Sequence, residues 1–267
     1  MNAARRVVLE GEGPPNREAQ DPNSAIIAGT ATAPPIHIRL WGDSHLQQNH
    51  DVPPSIDAFI IARRDLYRYQ APSLVTEPRR RRFDDDLTAR LTLAFKIDYP
   101  TLHVLLVGSN DLRDEFYSKT GNGRKKALDR VTSLVQQHEH VANLVDQTRC
   151  HSLLIVSPLP STHLAMEPIF EKYAEELREL CDRHPKVKYA PFRELNFPES
   201  EMGRDISGRK DFFKDVVHLS SKGATELARS ICANMERIPA RQFGLLSNQE
   251  LKKLRAAAKA ASTEGQR

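Results

Sequence analysis

The chain is poor in the residues that mark several whole classes of protein. Aromatic side chains make up 6% of its 267 residues, with Trp41 the single tryptophan. That is too sparse for the stacked platforms on which proteins hold single-stranded nucleic acid. Its three cysteines, Cys150, Cys181 and Cys232, are odd in number and widely spaced, which fits neither a disulfide framework nor a zinc cluster. Long hydrophobic runs are missing: the longest, at 102–108 and 153–156, fall far short of the roughly 20 residues a membrane-spanning helix needs. Near the N-terminus, Arg5 and Arg6 precede Val7, Val8 and Leu9, but Glu10, Gly11 and Glu12 follow at once. No signal-peptide core forms, and the expected compartment is intracellular, the cytoplasm. Glycine is absent throughout 55–107.

A dominant charge is missing as well. The formal net charge is +4, of which residues 236–267 hold the whole excess, while 1–35 carry one net negative charge. A basic balance confined to a tail is not the basic face a nucleic-acid-binding fold requires, although the tail itself is suited to weak polyanion or nucleic-acid binding.

What is present is a compact alternating pattern. Residues 1–35, with Pro14, Pro15, Pro22, Pro34 and Pro35 and no sustained period, read as a disordered proline-rich leader. From Ile36, apolar blocks of strand character occur at 36–41, 58–62, 102–107, 152–156 and, weakly, 187–190. Helical periodicity separates them at 86–97, 125–146, 168–183 and 222–235. Strand and helix in alternation imply right-handed crossovers and a parallel sheet covered on both faces. The expected fold is α/β, with a core domain over 36–238 and a C-terminal helix and basic polar tail over 239–267. Ser247 and Glu250 form the capping-box pair that opens that helix.

In open parallel sheets ligands bind beyond the carboxyl ends of the strands, and three such places carry reactive groups. Gly42, Asp43, Ser44 and His45 follow the first block; Gly108, Ser109, Asn110 and Asp111 follow the third; Asp215 to His218 precede the last core helix. Gly42 allows a sharp turn that leaves Ser44 at the start of the next segment. A serine hydroxyl is inert near neutral pH unless a base takes its proton. His218 supplies that base, and Asp215, three residues earlier, orients it. Asn110 offers an N–H donor to the oxyanion of a tetrahedral intermediate.

These blocks, G-D-S at 42–44, G-S-N-D at 108–111 and D-V-V-H-L at 215–219, resemble blocks I, III and V of the SGNH (GDSL-type) hydrolases. The resemblance covers roughly 36–235. It implies a flavodoxin-like three-layer α/β/α sandwich with a central parallel sheet of about five strands. It also implies an esterase that needs no metal or cofactor and acts on a small or medium acyl or acetyl ester through an acyl-Ser44 intermediate. By that resemblance Ser44 is the nucleophile, His218 the base, Asp215 its partner, and the Ser44 N–H and Asn110 are oxyanion donors. Gly42, Asp43 and Gly108 shape the turns.

One block departs from the family, which places a glycine with an oxyanion N–H after the second strand. Taking 58–62 as that strand, Arg63 or Arg64 stands there instead; its backbone N–H can serve as the remaining oxyanion donor only if it adopts the required dihedral angles, and a positive φ is costly for arginine. The alternative reading is therefore a binding module of weak or no activity. Some retroelement-derived chains also look like this one, which implies nucleic-acid-associated tails. His45 reads as a pocket-rim residue, and His138, His140, His151 and His163 lack metal-ligand spacing and read as surface residues. Arg79 to Arg82, set against Asp84 to Asp86, read as a solvated loop leading into a charged helix start.

Overall fold

The computed structural model describes residues 36–46, 52–62, 74–76, 83–118, 121–159, 164–193, 211–215 and 218–244, with the single positions 253 and 256. The leader, most of the tail, Arg79 to Arg82 and His163 lie outside the described residues. Five strands, β1 (His37–Gly42), β2 (Leu74–Thr76), β3 (Thr101–Leu106), β4 (His151–Val156) and β5 (Val187–Ala190), form one parallel sheet in the order β2-β1-β3-β4-β5. This is the doubly wound order, with a switch point between β1 and β3 where connections leave in opposite directions.

Side chains alternate between two cores. Ile38, Leu40, Leu102, Val104, Leu106, Leu154 and Val156 face α1 (Val52–Ala62) and α6 (Ser221–Met235). Trp41, Leu105, Leu153 and Ile155 face a layer built from α2 (Asp85–Ala94), α3 (Ser109–Phe116), α4 (Gly123–Asp146) and α5 (Glu167–Arg183). The result is the expected three-layer α/β/α sandwich. Asp84 caps α2, its side chain accepting from the Leu87 N–H, and Asp85 and Asp86 lie in the first turn, where carboxylates meet the positive end of the helix.

The segment 58–62 is a correction: it is helical, the C-terminal half of α1. A short apolar run looks alike whether it fills a buried strand or a buried helix. The informative signal was upstream, where Pro53 and Pro54 occupy the first turn, in which a missing N–H goes unnoticed. The second strand is the three-residue β2 instead.

Two of the four histidines read as surface residues are buried, His138 and His151, both 1% exposed. His138 Nδ1 donates to the Leu134 carbonyl at 2.8 Å, and its ring meets Phe83 and Tyr173 edge-on. His151 belongs to a directional chain. Trp41 Nε1 has only a hydrogen to give, so His103 accepts at Nδ1 (3.0 Å) and donates from Nε2 to His151 Nδ1 (3.1 Å). His151 Nε2 then donates to the Ile97 carbonyl (2.7 Å). Burial, then the charges of His151 and Arg39, holds His103 well below the usual imidazole range.

Burial lowers His138 from 6.5 to about 4, against a smaller raising effect of its bond to Leu134. The folded chain thus binds fewer protons than the unfolded chain between these values, so stability present above pH 6.5 is lost as pH falls through the window. The loss assigned to His138 is about 3 kcal/mol. Urea denaturation across this range should show the wild type losing about that much more than His138→Phe; parallel pH profiles would contradict the assignment.

Candidate active site

Three turns meet at the carboxyl edge of the sheet beside the switch point. In the first, Gly42 pairs in register with Leu106, and a Cβ at Gly42 would sit 2.5 Å from the Leu106 carbonyl oxygen. Only glycine lets the strands approach so closely. The Asp43 N–H donates to that carbonyl at 3.3 Å, and a single 3-10 turn, Ser44–Leu46, follows. Ser44 opens that turn; its side chain lies outside the described residues.

Asp43 and His45 flank Ser44 and bind each other. Asp43 Oδ1 accepts from the His45 backbone N–H at 3.0 Å and from His45 Nδ1 at 2.7 Å. Burial pushes the Asp43 carboxyl up, but the charge and hydrogen bonds of His45, with Arg113 beyond, outweigh it and leave the group below its ordinary value. Asp43 is therefore an ionised, buried anchor, more than a turn former. His45 is 4% exposed, so it is a buried part of the turn and not a rim residue.

The second turn starts at Gly108, with φ of +100°, where a Cβ would collide with the Tyr173 ring and hydroxyl. The Tyr173 hydroxyl donates to the Val107 carbonyl at 3.2 Å. Asn110 lies in the first turn of α3, and its Oδ1 accepts from Arg113 Nη1 at 3.1 Å. Asp111 is 2% exposed and clamps three elements. Its Oδ2 accepts from the Phe83 N–H at 3.0 Å and its Oδ1 from Arg130 Nη2 at 2.5 Å, while Arg130 also donates to the Phe83 carbonyl. The start of α3 is thereby tied to α4 and to the approach to α2.

The third turn is a tight reversal before α6. Phe213 and Leu219 form an antiparallel bridge, the Lys214 N–H donates to the His218 carbonyl, and the Ser220 N–H donates to the Phe212 carbonyl. Within it Asp215 Oδ1 accepts from the His218 backbone N–H at 2.7 Å, and His218 Nδ1 donates to Asp215 Oδ2 at 2.9 Å. One carboxylate thus holds both the backbone and the ring of His218, which puts the basic lone pair on Nε2. Ser220 then caps α6 by accepting from the Gly223 N–H.

The first and third turns touch: the rings of His45 and His218 lie 5.8 Å apart, tilted by 43°. Of the residues singled out from sequence, Asp215 and His218 are brought together, and the His218 ring meets that of His45 in the turn that carries Gly42, Asp43 and Ser44. Gly108 and Asn110 stand on the neighbouring strand end. Arg63 and Arg64 lie outside the described residues, and the strand they were expected to follow is the helix α1. The position after the second strand falls instead within 77–82. Sequence reasoning missed Arg113 and Arg130. Arg113 leaves only the faint signal of its i+3 spacing from Asn110, and Arg130, 19 residues from Asp111, leaves none.

No family model matches the chain, and no curated protein matches it. Solved structures do. A lipase/acylhydrolase from Enterococcus faecalis superposes with a TM-score of 0.54 at 14% identity, covering 77% of this chain and 98% of the other. LAE5, an alpha/beta hydrolase enzyme from the metagenome of Lake Arreo, gives 0.54 at 15% identity over 78% of this chain and 100% of the other. A member of the lipolytic protein G-D-S-L family from Veillonella parvula gives 0.50 at 14% identity over 74% and 97%.

Gly108→Ala should lower stability by at least about 2 kcal/mol, because it adds left-handed strain to a steric collision. Denaturant unfolding checks this, and a change under 0.5 kcal/mol would contradict the packing described. The fold, as the sequence motifs implied, is that of the G-D-S-L lipolytic hydrolases.

Proposed function

We propose that the chain is a serine ester hydrolase that cleaves a small or medium acyl ester through an acyl-Ser44 intermediate. The observation that carries this reading is the Asp215–His218 pair, with its ring against the turn that bears Ser44 at the switch-point edge of the sheet. The names of the structural neighbours, a lipase/acylhydrolase and a lipolytic G-D-S-L protein, support ester chemistry on this fold.

The steps follow from the groups available. Ser44 Oγ attacks the ester carbonyl carbon while His218 Nε2 takes its proton, and Asp215 holds Nδ1–H and stabilises the imidazolium. The carbonyl oxygen becomes an oxyanion that accepts from the Ser44 N–H and the Asn110 N–H2 group. Collapse expels the alkoxide, which leaves as the alcohol with the proton from His218. Water, deprotonated by His218, then attacks the acyl-enzyme and releases the carboxylic acid and free Ser44.

The alternative of an inactive binding module drew its motive from Arg63 and Arg64 in place of an oxyanion glycine. With the second strand at Leu74–Thr76 that position moves to 77–82, which also lacks glycine, so the missing glycine still motivates this second reading, and the turnover assay below decides between the two.

Ser44→Ala and His218→Ala should each lower kcat on a short activated acetyl ester by about 10⁴ or more, with the fold intact by circular dichroism. Asp215→Asn should cost up to about 10⁴. Retained turnover in both the Ser44 and His218 variants would overturn the reading.

A further inference from the structure

Arg113 is assigned no part by the three motifs or by the chemistry above, yet it holds the side chain of Asn110 in the second of them. Its Nη1 donates to Asn110 Oδ1 at 3.1 Å, and its charge acts on the buried Asp43 carboxylate beside Ser44. An asparagine amide is nearly symmetric in shape and opposite in polarity at its two ends. Turned by half a rotation, Asn110 would present a carbonyl oxygen, and not N–H2, to a developing negative charge. A guanidinium has donors only, so the end of the amide that Arg113 holds is the oxygen, and the N–H2 end faces the other way. The spacing of three residues on α3 puts both side chains on one helix face, and the Asp111–Arg130 clamp fixes the start of that helix.

We propose that Arg113 is a positioning residue that locks the Asn110 amide with its N–H2 end toward the oxyanion. The proposal rests on the hydrolase reading given above. Removing an oxyanion donor outright costs about 10² to 10³ in kcat; a donor released to rotate is lost only part of the time.

The experiment compares wild type, Arg113→Met, Arg113→Lys, Asn110→Ala and the Arg113→Met/Asn110→Ala double variant on a short activated ester. Alongside, the Asn110 side-chain amide is followed in 1H–15N spectra, assigned by its loss in Asn110→Ala. Arg113→Met should lower kcat about tenfold, a fraction of the donor-loss cost, and change KM by less than about twofold. Arg113→Lys, which keeps a donor, should recover most of the loss. The double variant should be no slower than Asn110→Ala alone, because without the amide there is nothing for Arg113 to orient. The Asn110 N–H2 signals, distinct in wild type, should shift or average in Arg113→Met.

Multiplied losses in the double variant, or unchanged kcat and unchanged amide signals in Arg113→Met, would overturn the proposal. If Arg113→Met fails to fold, Arg113→Ala, which also lacks a donor, takes its place in the same cycle. If the wild type turns over no ester, the hydrolase reading fails on its own account. The amide spectra then decide whether Arg113 orients Asn110: Arg113-dependent signals uphold that role, and indifferent ones dismiss it.

Discussion

Gly42 of β1 lies in register with Leu106 of β3, and everything at the site depends on that pairing. Parallel strands carry side chains with a period of two, so a slip of one residue would exchange the side chains that a strand gives to the two cores. The register also sets the level at which the two strands end. One turn leaves with Asp43, Ser44 and His45, the other with Gly108, Ser109 and Asn110, and they emerge side by side because Asp43 N–H reaches the Leu106 carbonyl. A side chain at Gly42 would separate the strands at this height.

Two buried carboxylates then hold the turns in place. A buried carboxylate without partners is costly enough to rearrange its surroundings, so each is fixed by the donors it must have. Asp43 takes both N–H groups of His45 within the turn itself. Asp111 takes Phe83 and Arg130 from distant parts of the chain. The Asp215 carboxylate is different, with a side chain 47% exposed. Water screens its attraction for His218, and the hairpin from Phe212 to Ser220 and the neighbouring ring of His45 add the remaining constraint.

Much of this was legible in the residues. β3 and β4 are buried on both faces and read as largely apolar runs, β1 shows its strand by alternating half-buried His37 and Arg39 with buried Ile38 and Leu40, and α4 and α5 are long enough for their period to show. The G-D-S, G-S-N-D and D-V-V-H-L blocks marked the three turns at the carboxyl edge of the sheet, and the spacing of Asp215 and His218 announced their pairing. The stretch between β1 and α2 was not legible. β2 has three residues, too few for alternation, while the apolar end of α1 imitated a strand, and the misplaced strand led to Arg63 and Arg64. Partnerships such as Asn110 with Arg113, or His45 with Asp43, also escaped the sequence. They depend on where rotamers point once the turns have formed, which no periodicity records.

The central claim is that Ser44 is an activated nucleophile, and covalent labelling tests it most directly. The intact protein is treated with a fluorophosphonate probe, its mass is measured, and the modified peptide is mapped. The account predicts one adduct per chain, located on Ser44 and lost in His218→Ala. An unlabelled, folded protein, or an adduct on any other residue, would contradict it.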